Sequence, residues 1–538
     1  MDIEGSAGYA AIDSICDYYQ SIQDRPVKSD VKPGYLLETL PDAAPTDGEP
    51  FEKIAADFQS LIMPGITHWQ HPKFMAYFPA ISTYESMLGE LYSSSVSNPG
   101  FNWICSPACT ELEQVMMDWM AKMLGLSDAY LTKSGVGGGI ILGSASESAL
   151  TAAMAARERA LHRLTRSLSP AGTAPSSGSS TPIPIREQYT QKMVIYGSTQ
   201  THSLGAKLIL LKAALLLGMQ FRAVPVSRSD DYSLRGQALR QALERDVKEG
   251  LIPFFVIATV GTTSSGAVDN IAEIGEVLRS YPTAFLHVDA AWAGVAYALP
   301  DHRQALRLND VNRFADSFCT NAHKWGLTGF DCSLFWIKDR GNLTEAFDVT
   351  PVRHLPALLS PRTADLREAF LRSKESDAGS VIDYRNWQIA LGRRFRSIKL
   401  WFVLRSFGVT GFQQHLAEGI EHCQQLASIV NASANFEIVT PPSLALLVVR
   451  LRDPLAPNSP DEVLNRLNQA LYARLDARHD VMLTQTVLKS VESEIHCLRI
   501  AMGGVNTTMK DVEEVWEVIE SEGQHVLAEH RSRRELDI

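Results

Sequence analysis

The chain is short of the features that mark several common functional classes. No apolar run reaches the roughly 18 to 20 residues needed to cross a bilayer; the most apolar stretch, "LILLKAALLLGMQF", is broken by Lys212. The seven cysteines (Cys16, Cys105, Cys109, Cys319, Cys332, Cys423 and Cys497) are odd in number, scattered and without a CxxC pair. Such usage gives neither a disulfide framework nor a zinc site, so no metal is expected, and it fits a reducing cytoplasm. Basic residues are outnumbered, 50 Lys and Arg against 61 Asp and Glu, for a net charge of -11. Nucleic acids are bound through basic faces, and no long Lys/Arg run precedes the terminal "HRSRRELDI", so no nucleic-acid partner is expected. The amino terminus, "MDIEGSAGYAAID", has no basic n-region followed by an apolar core, which argues against an ordinary signal peptide. Both the GxGxxG dinucleotide fingerprint and the Walker lysine pattern are missing, which disfavours a nicotinamide oxidoreductase.

What remains is a globular chain of 538 residues, 45% hydrophobic and 21% charged, long enough for two or three lobes and an interior that could hide a cofactor. Residues 1–84 hold helical segments around the Pro/Gly-rich "VKPGYLLETLPDAAPTDGEP"; such a segment makes no core of its own and is expected to lie on another subunit or lobe. In "CTELEQVMMDWMAKMLG" the periodicity predicts a helix, with Thr110 and Glu113 as a capping box and Leu112, Val115, Met116, Trp119, Met120, Met123 and Leu124 as one core stripe. Over residues 85–400 short apolar strands ("KMVIYGS", "PFFVIATV", "AFLHVDAAW", "DCSLFWIK") alternate with helical patterns such as "SLRGQALRQALERDVKEG". That alternation predicts an α/β fold with a mostly parallel sheet flanked by helices, and ligands in such folds sit at the carboxyl ends of the strands. The Ser/Pro/Gly-rich stretch at about 165–188 reads as a mobile surface insertion. From 401 to 538 a long helix pair, then strands and helices, predict a smaller α+β domain.

Three strand ends carry polar residues that could do chemistry. In "GVGGGIILGSASESAL" the helix opened by Ser144, Ala145 and Ser146 offers free N–H groups to a phosphate, or is a plain Ser-capped loop. Asp289, in "FLHVDAAWAG", ends an apolar strand and needs a cation, either a structural partner or the protonated nitrogen of a pyridine ring. Lys324, in "NAHKWGLTGFD", is either a snorkelling surface residue or a desolvated amine able to attack a carbonyl. In chain order the three offer handles for a phosphate, a pyridinium and an aldehyde. Two more residues suit the same pocket: His202 after "KMVIYGS", which could lie over the ring or cap a helix, and Thr263 after "PFFVIATV", which could bond the cofactor edge or belong to a turn.

The stretches "HPKFMAYFP", "SPACTELEQVMMDWM", "GSASESA", "HVDAAWAG", "NAHKW" and "DYRNWQIALGRRFRSIKLWFVLRSFGV" resemble the group II pyridoxal-phosphate decarboxylases, specifically the aromatic L-amino-acid decarboxylases, from about Pro33 into the C-terminal domain. The resemblance implies a type I aminotransferase-like fold, pyridoxal 5'-phosphate (PLP) as cofactor, and a homodimer with active sites at the subunit interface. It implies that Lys324 carries the cofactor and Asp289 pairs with its ring nitrogen. His202 would stack on the ring, Ala145, Ser146 and Asn321 would contact the phosphate side, and Thr263, Ala291 and His323 would line the cofactor. Trp69, Tyr77, Phe78, Pro79 and Ala80, with Phe101, would shape the substrate pocket; Ala80 stands where animal members have Thr. Gly392 matches a position that is Gly in plant tryptophan decarboxylases and Ser in tyrosine decarboxylases, so tryptophan is favoured while tyrosine, dihydroxyphenylalanine and phenylalanine stay open.

One departure bears on the product. The family places a Tyr on a mobile loop, here about 345–380, where it returns a proton to the substrate once CO2 has left; no Tyr occurs between Gly341 and Asp383. His354 stands near the expected place and is either a general acid or an ordinary surface residue. Relatives with Phe in place of that Tyr release an aromatic acetaldehyde, ammonia and hydrogen peroxide. The expected reaction is therefore decarboxylation of an aromatic amino acid, with aldehyde synthesis as the alternative and a catalytically silent cofactor-binding scaffold as a third.

Overall fold

The computed structural model describes residues 5–168, 183–201, 214–348 and 373–536. Seven strands form the larger sheet: β1 (Gly138–Leu142), β2 (Met193–Ser198), β3 (Gln220–Val224), β4 (Ile252–Thr259), β5 (Phe285–Asp289), β6 (Ser317–Asn321) and β7 (Ser333–Ile337), in the order β1-β7-β6-β5-β4-β2-β3. Alternate side chains of these apolar runs serve two different cores, as the two-residue period of a strand requires. Ile140, Ile195, Phe255, Ile257 and Phe335 face Ala149, Ala152, Ala153 and Ala156 of the Ala145–Leu168 helix, whose small side chains let it lie close to the sheet. Ile141, Val194, Val256 and Val288 face the other way, toward Met116 and Met120 of the Pro107–Leu124 helix and Leu239 and Leu243 of the Gly236–Lys248 helix. Burial on both faces explains why the strands read as continuous hydrophobic runs.

The sheet is mostly parallel, as the alternation predicts, with one strand reversed. β7 runs antiparallel to both β1 and β6, so β1 and β6 run in the same direction on either side of it. β3, which the sequence did not suggest, is a partly exposed edge strand beside β2.

The smaller sheet is wholly antiparallel: β8 (Phe436–Ile438), β9 (Leu446–Leu451), β10 (Thr484–Lys489) and β11 (Glu494–Ala501), in the order β10-β11-β9-β8. It packs with the Asp461–Asp476 and Met509–Leu536 helices, giving the expected α+β lobe. The long helix pair spans Arg396–Ala432 and is divided at Gly408, where φ of 62° and ψ of -177° leave the helical region. The N-terminal helix Gly5–Gln20 buries no residue, but the chain after it is tied to the smaller lobe: the Val27 N–H donates to the His479 carbonyl (2.7 Å) and the Met75 N–H to the Met482 carbonyl (2.9 Å).

Two expectations for the Pro107–Leu124 helix are corrected. It starts three residues before Thr110, capped by Ser106, whose Oγ accepts the Cys109 N–H (3.3 Å). Pro107 at the first position suits a helix start, where its missing N–H has no partner to lose. The buried stripe is also rotated: Val115 and Trp119 are 42% and 44% exposed, while Thr110, Glu113 and Met117 are buried. Glu113 turns inward because Arg393 meets it there. Its Oε1 accepts from Arg393 Nη2 (2.6 Å) and from the Ile141 N–H (2.8 Å), and each side chain is 1% exposed.

Removing one partner of such a pair strands a buried charge, whereas removing both with apolar residues does not. Glu113→Ala should lower the unfolding free energy in urea by about 3–5 kcal/mol, and the double change Glu113→Leu with Arg393→Met should recover most of that loss. A double variant as unstable as the single one would contradict this.

Candidate functional site

Strands β1, β6, β5, β4 and β2 share a direction, so their carboxyl ends lie along one edge. Leu142 of β1 pairs with Ser333 of β7, which pairs in turn with Asn321 of β6; Cys319 of β6 pairs with Asp289 of β5, and Asp289 with Thr259 of β4. At about 4.8 Å per strand, the helix opening at Ala145, the turn at Lys324, Asp289 and the loop holding Thr263 are brought along one edge of the sheet.

At the first of these ends, Ser144 Oγ accepts the Glu147 N–H (3.2 Å), and Glu147 Oε2 accepts the Gly143 N–H (2.8 Å). This reciprocal cap leaves the first-turn N–H groups of Ala145 and Ser146 available, at the positive end of a long helix. Asn321, at the end of β6, is buried, and its Oδ1 has no hydrogen-bond partner among the described residues. Its N–H donates to the Ala291 carbonyl (2.8 Å), tying the turn after β5 to β6.

Lys324 sits in the one-turn helix Ala322–Trp325 that follows. It is partly exposed, and no hydrogen bond or ion pair reaches its amine among the described residues. Burial lowers its pKa, with Asp289 opposing and Arg499 adding to the shift. Asp289 is held on one side only: Oδ1 accepts the Ala291 N–H (2.9 Å) and the Cys319 thiol (3.8 Å), while Oδ2 is unengaged among the described residues. His323 Nδ1 accepts the Cys332 N–H (2.8 Å), and its ring meets Phe330 edge-on at 4.9 Å. In the loop after β4, Thr262 and Ser265 are buried against each other (2.7 Å between hydroxyls), and Thr263 keeps partial exposure.

The segment expected to shape the pocket clasps the lysine turn. The Ile81 N–H donates to the His323 carbonyl (3.1 Å), Thr83 Oγ1 to the Leu327 carbonyl (3.0 Å), and the Gly329 N–H to Ser86 Oγ (2.6 Å). The Ala80 carbonyl accepts from Gln70 Nε2 (2.7 Å), and Pro79 is buried. Phe78 stacks on Trp292 (4.5 Å between centroids) and tilts against Trp325 (5.7 Å), forming an apolar wall. Trp69 stacks on Tyr77 at 5.5 Å. Phe101 and Gly392 form a separate group: the Arg385 N–H donates to the Phe101 carbonyl (3.0 Å), and the Arg393 N–H to the Pro99 carbonyl (2.7 Å). No hydrogen bond or ring contact links that group to Lys324 among the described residues. His202 and His354 lie outside the described residues.

One residue escaped the sequence reading. Arg499, on β11, is buried with no carboxylate partner among the described residues; its Nη2 donates to the Tyr77 carbonyl (3.0 Å), its Nε meets no acceptor among them, and burial pushes its pKa down to about 10. Its field reaches Lys324. The signal was a lone arginine inside the apolar strand "HCLRIAM".

A partnerless desolvated amine, a carboxylate with one free oxygen, an unsatisfied buried amide and an open helix start fit the aldehyde, ring nitrogen and phosphate of PLP. The model of the pyridoxal-dependent decarboxylase conserved domain matches residues 33–452. The chain is 40% identical to the aromatic-L-amino-acid decarboxylase of Rattus norvegicus over 521 residues, covering 97% of each chain. It is 39% identical to the phenylacetaldehyde synthase of Arabidopsis thaliana over 523 residues, 97% of this chain and 96% of that one. Among solved structures, Oryza sativa TDC with PLP and tryptamine superposes with a TM-score of 0.84 at 33% identity, covering 97% of this chain and 98% of that one.

Burial also fixes how the cofactor-free protein responds to acid. His287, His323 and His415 are each pushed down to about 4 by desolvation. In the unfolded chain imidazoles take up protons near 6.5. Asp269, pushed up to about 6 by burial, works in the opposite sense. Between about pH 6.5 and 4 the unfolded chain therefore gains up to three protons on these histidines against one on Asp269 in the folded state, so stability present above pH 6.5 is lost as the pH falls. Urea midpoints at about pH 7.5, 6 and 5 should descend in that order; a flat or rising series would contradict the buried, neutral state of these rings.

Proposed function

The chain belongs to the pyridoxal-dependent decarboxylase family, and from that premise we propose that it decarboxylates an aromatic L-amino acid, tryptophan by preference, to the arylalkylamine and CO2. It is a carboxy-lyase that uses PLP. The observation that carries the finer reading is the setting of Lys324, an amine of lowered pKa that no hydrogen bond or ion pair reaches among the described residues, in the fields of Asp289 and Arg499 and next in sequence to Trp325, which packs with Phe78 and Trp292.

Bound PLP supplies an aldehyde that an amine can capture and a pyridine ring that takes up the electron pair left when CO2 departs. Lys324 is the attachment point, and its lowered pKa keeps more of the amine uncharged and able to attack a carbonyl. The free oxygen of Asp289 would accept a hydrogen bond from the protonated ring nitrogen and so keep positive charge on the ring. The N–H groups of Ala145 and Ser146, with Asn321, hold the phosphate side, and Thr263, Ala291 and His323 line the remainder. Arg499 attracts and orients the substrate carboxylate, a role suited to a buried cation that meets no carboxylate among the described residues. Trp69, Tyr77, Phe78, Pro79 and Ala80 confine the aromatic ring; His202 over the cofactor and His354 or a water as proton donor are roles that rest on the sequence alone, since both histidines lie outside the described residues.

We read the protein as a homodimer, with the helical part of residues 1–84 packed on the partner while Val27, Met75 and Ile81 stay tied to their own chain, 85–400 carrying the cofactor and 401–538 forming the smaller lobe. Supporting this, the Tyr84–Val96 helix exposes Tyr84, Leu88, Leu91 and Tyr92, close to the lysine turn, where Phe330 is 69% exposed. Large clustered apolar side chains of this kind mark interaction surfaces. Phe101 and Gly392 would then reach the partner's site. A Cβ added at Gly392 would meet nothing within 4 Å in its own chain, so the position is open to whatever packs on it from outside. A cytoplasmic setting is supported by seven unpaired cysteines, and no helix among the described residues is long and apolar enough to cross a membrane.

A second product is favoured by one observation, the lack of any Tyr between Gly341 and Asp383, together with the similarity to a phenylacetaldehyde synthase. With tryptophan in air the reading predicts one tryptamine per CO2 and no peroxide; peroxide stoichiometric with CO2 would replace it with aldehyde synthesis. Gly392→Ser should shift the ratio of kcat/KM for tryptophan over tyrosine toward tyrosine by about tenfold, the scale of one or two misplaced atoms in a pocket; an unchanged ratio would remove Gly392 from the specificity argument.

A further inference from the structure

Beneath Asp289 lies a line of buried polar side chains that the reaction scheme leaves unused. His287 and Asp289 are two residues apart on β5, and Ser317 and Cys319 two apart on β6, so all four project from the same face of the sheet. The strands pair with His287 opposite Ser317 and Asp289 opposite Cys319. Ser317 Oγ is 2.8 Å from His287 Nδ1, His287 Nε2 is 3.6 Å from Cys319 Sγ, and Cys319 Sγ is 3.8 Å from Asp289 Oδ1. His287, Ser317 and Cys319 are fully buried. The His287 ring is further held between Phe255 (centroids 6.0 Å apart) and Phe335 (6.1 Å).

Donor and acceptor rules give this line a single direction. A carboxylate only accepts, so the contact at Asp289 needs the Cys319 S–H as donor. The sulfur can then accept from His287 Nε2–H, and a neutral imidazole with its proton on Nε2 must accept at Nδ1, from the Ser317 hydroxyl. Burial supports both protonation states, since it keeps the imidazole neutral and raises the thiol pKa. The other charged group facing Asp289 is Lys324, with Arg499 beyond it.

We propose that Ser317, His287 and Cys319 form a head-to-tail hydrogen-bond chain that fixes Oδ1 of Asp289 and so presents its other oxygen to the cofactor's ring nitrogen. The three are positioning residues, acting through Asp289, and the proposal rests on the reading of Asp289 given above. A thiol is a weak donor, but here it joins the Ala291 N–H on Oδ1 and ties the carboxylate to the strand pair. Replacing it by a group that cannot donate leaves Oδ1 to the Ala291 N–H alone and loosens the carboxylate, whereas a hydroxyl keeps the second link.

The test compares Cys319→Ala with Cys319→Ser in the full-length protein. Three measurements are made: PLP retention by equilibrium dialysis, the 15N resonance of ring-labelled PLP in the loaded protein, and thermal midpoints as a control on folding. The chain predicts that Cys319→Ala weakens PLP retention about tenfold, the range for a hydrogen bond to a charged group, and moves the ring-nitrogen resonance toward the unprotonated position. Cys319→Ser should stay within about threefold of the parent. His287→Leu, which removes the link behind the thiol, should resemble Cys319→Ala. Equal losses in the Ala and Ser variants, or none in either, would overturn the proposal in favour of simple core packing. Asp289→Asn separates the two layers. If it leaves the ring-nitrogen resonance unmoved, the role of Asp289 itself fails; if it moves the resonance while Cys319→Ala does not, only the chain beneath it fails.

Discussion

Burying one amine sets the terms for the rest of this site. Water solvates an ammonium far better than an apolar wall does, so enclosing Lys324 pushes it toward its uncharged form. Phe78 and Trp292 pack against the neighbouring Trp325, and the Ile81–Ser86 segment makes three hydrogen bonds to the lysine turn and the loop after it. Asp289 limits the shift from one side and Arg499 extends it from the other. The smaller lobe therefore contributes to the site directly, since Arg499 comes from β11 and also holds the Tyr77 carbonyl.

Sheet direction does the remaining positioning. With β7 reversed, β1 and β6 deliver the Ala145 helix start and Asn321 to the same edge as Asp289 and Thr259. Polar groups gather where strands end because the strands are buried on both faces and have no other place to put them. The buried Glu113–Arg393 pair extends this order outward, joining β1 to the loop that carries Gly392.

Much of this was readable from the residues. Apolar runs located β2, β4, β5 and β7, and the polar residues singled out at strand ends included Asp289 and Lys324, while Asn321 entered only through the family resemblance. The misses have physical causes. Periodicity defines a helix stripe without saying what covers it, so it assigns Val115 and Trp119 to the core although both are exposed. Thr110 and Glu113 have the spacing of a capping box, but Ser106 and Pro107 begin the helix earlier, and Glu113 answers to Arg393, 280 residues away in sequence. The direction of β7 and the exposure of β3 depend on neighbours that no local pattern names. Arg499 was hidden for the same reason: only the packing of β11 against Tyr77 brings its charge to Lys324.

The central claim is that Lys324 is the amine that carries PLP. Loading the protein with PLP, reducing it with borohydride and mapping the modified peptide by mass spectrometry tests this most directly. The account predicts the pyridoxyl group on Lys324, in the "NAHKW" peptide, and a loss of that modification in Lys324→Ala. A pyridoxyl group found stoichiometrically on any other lysine would contradict it.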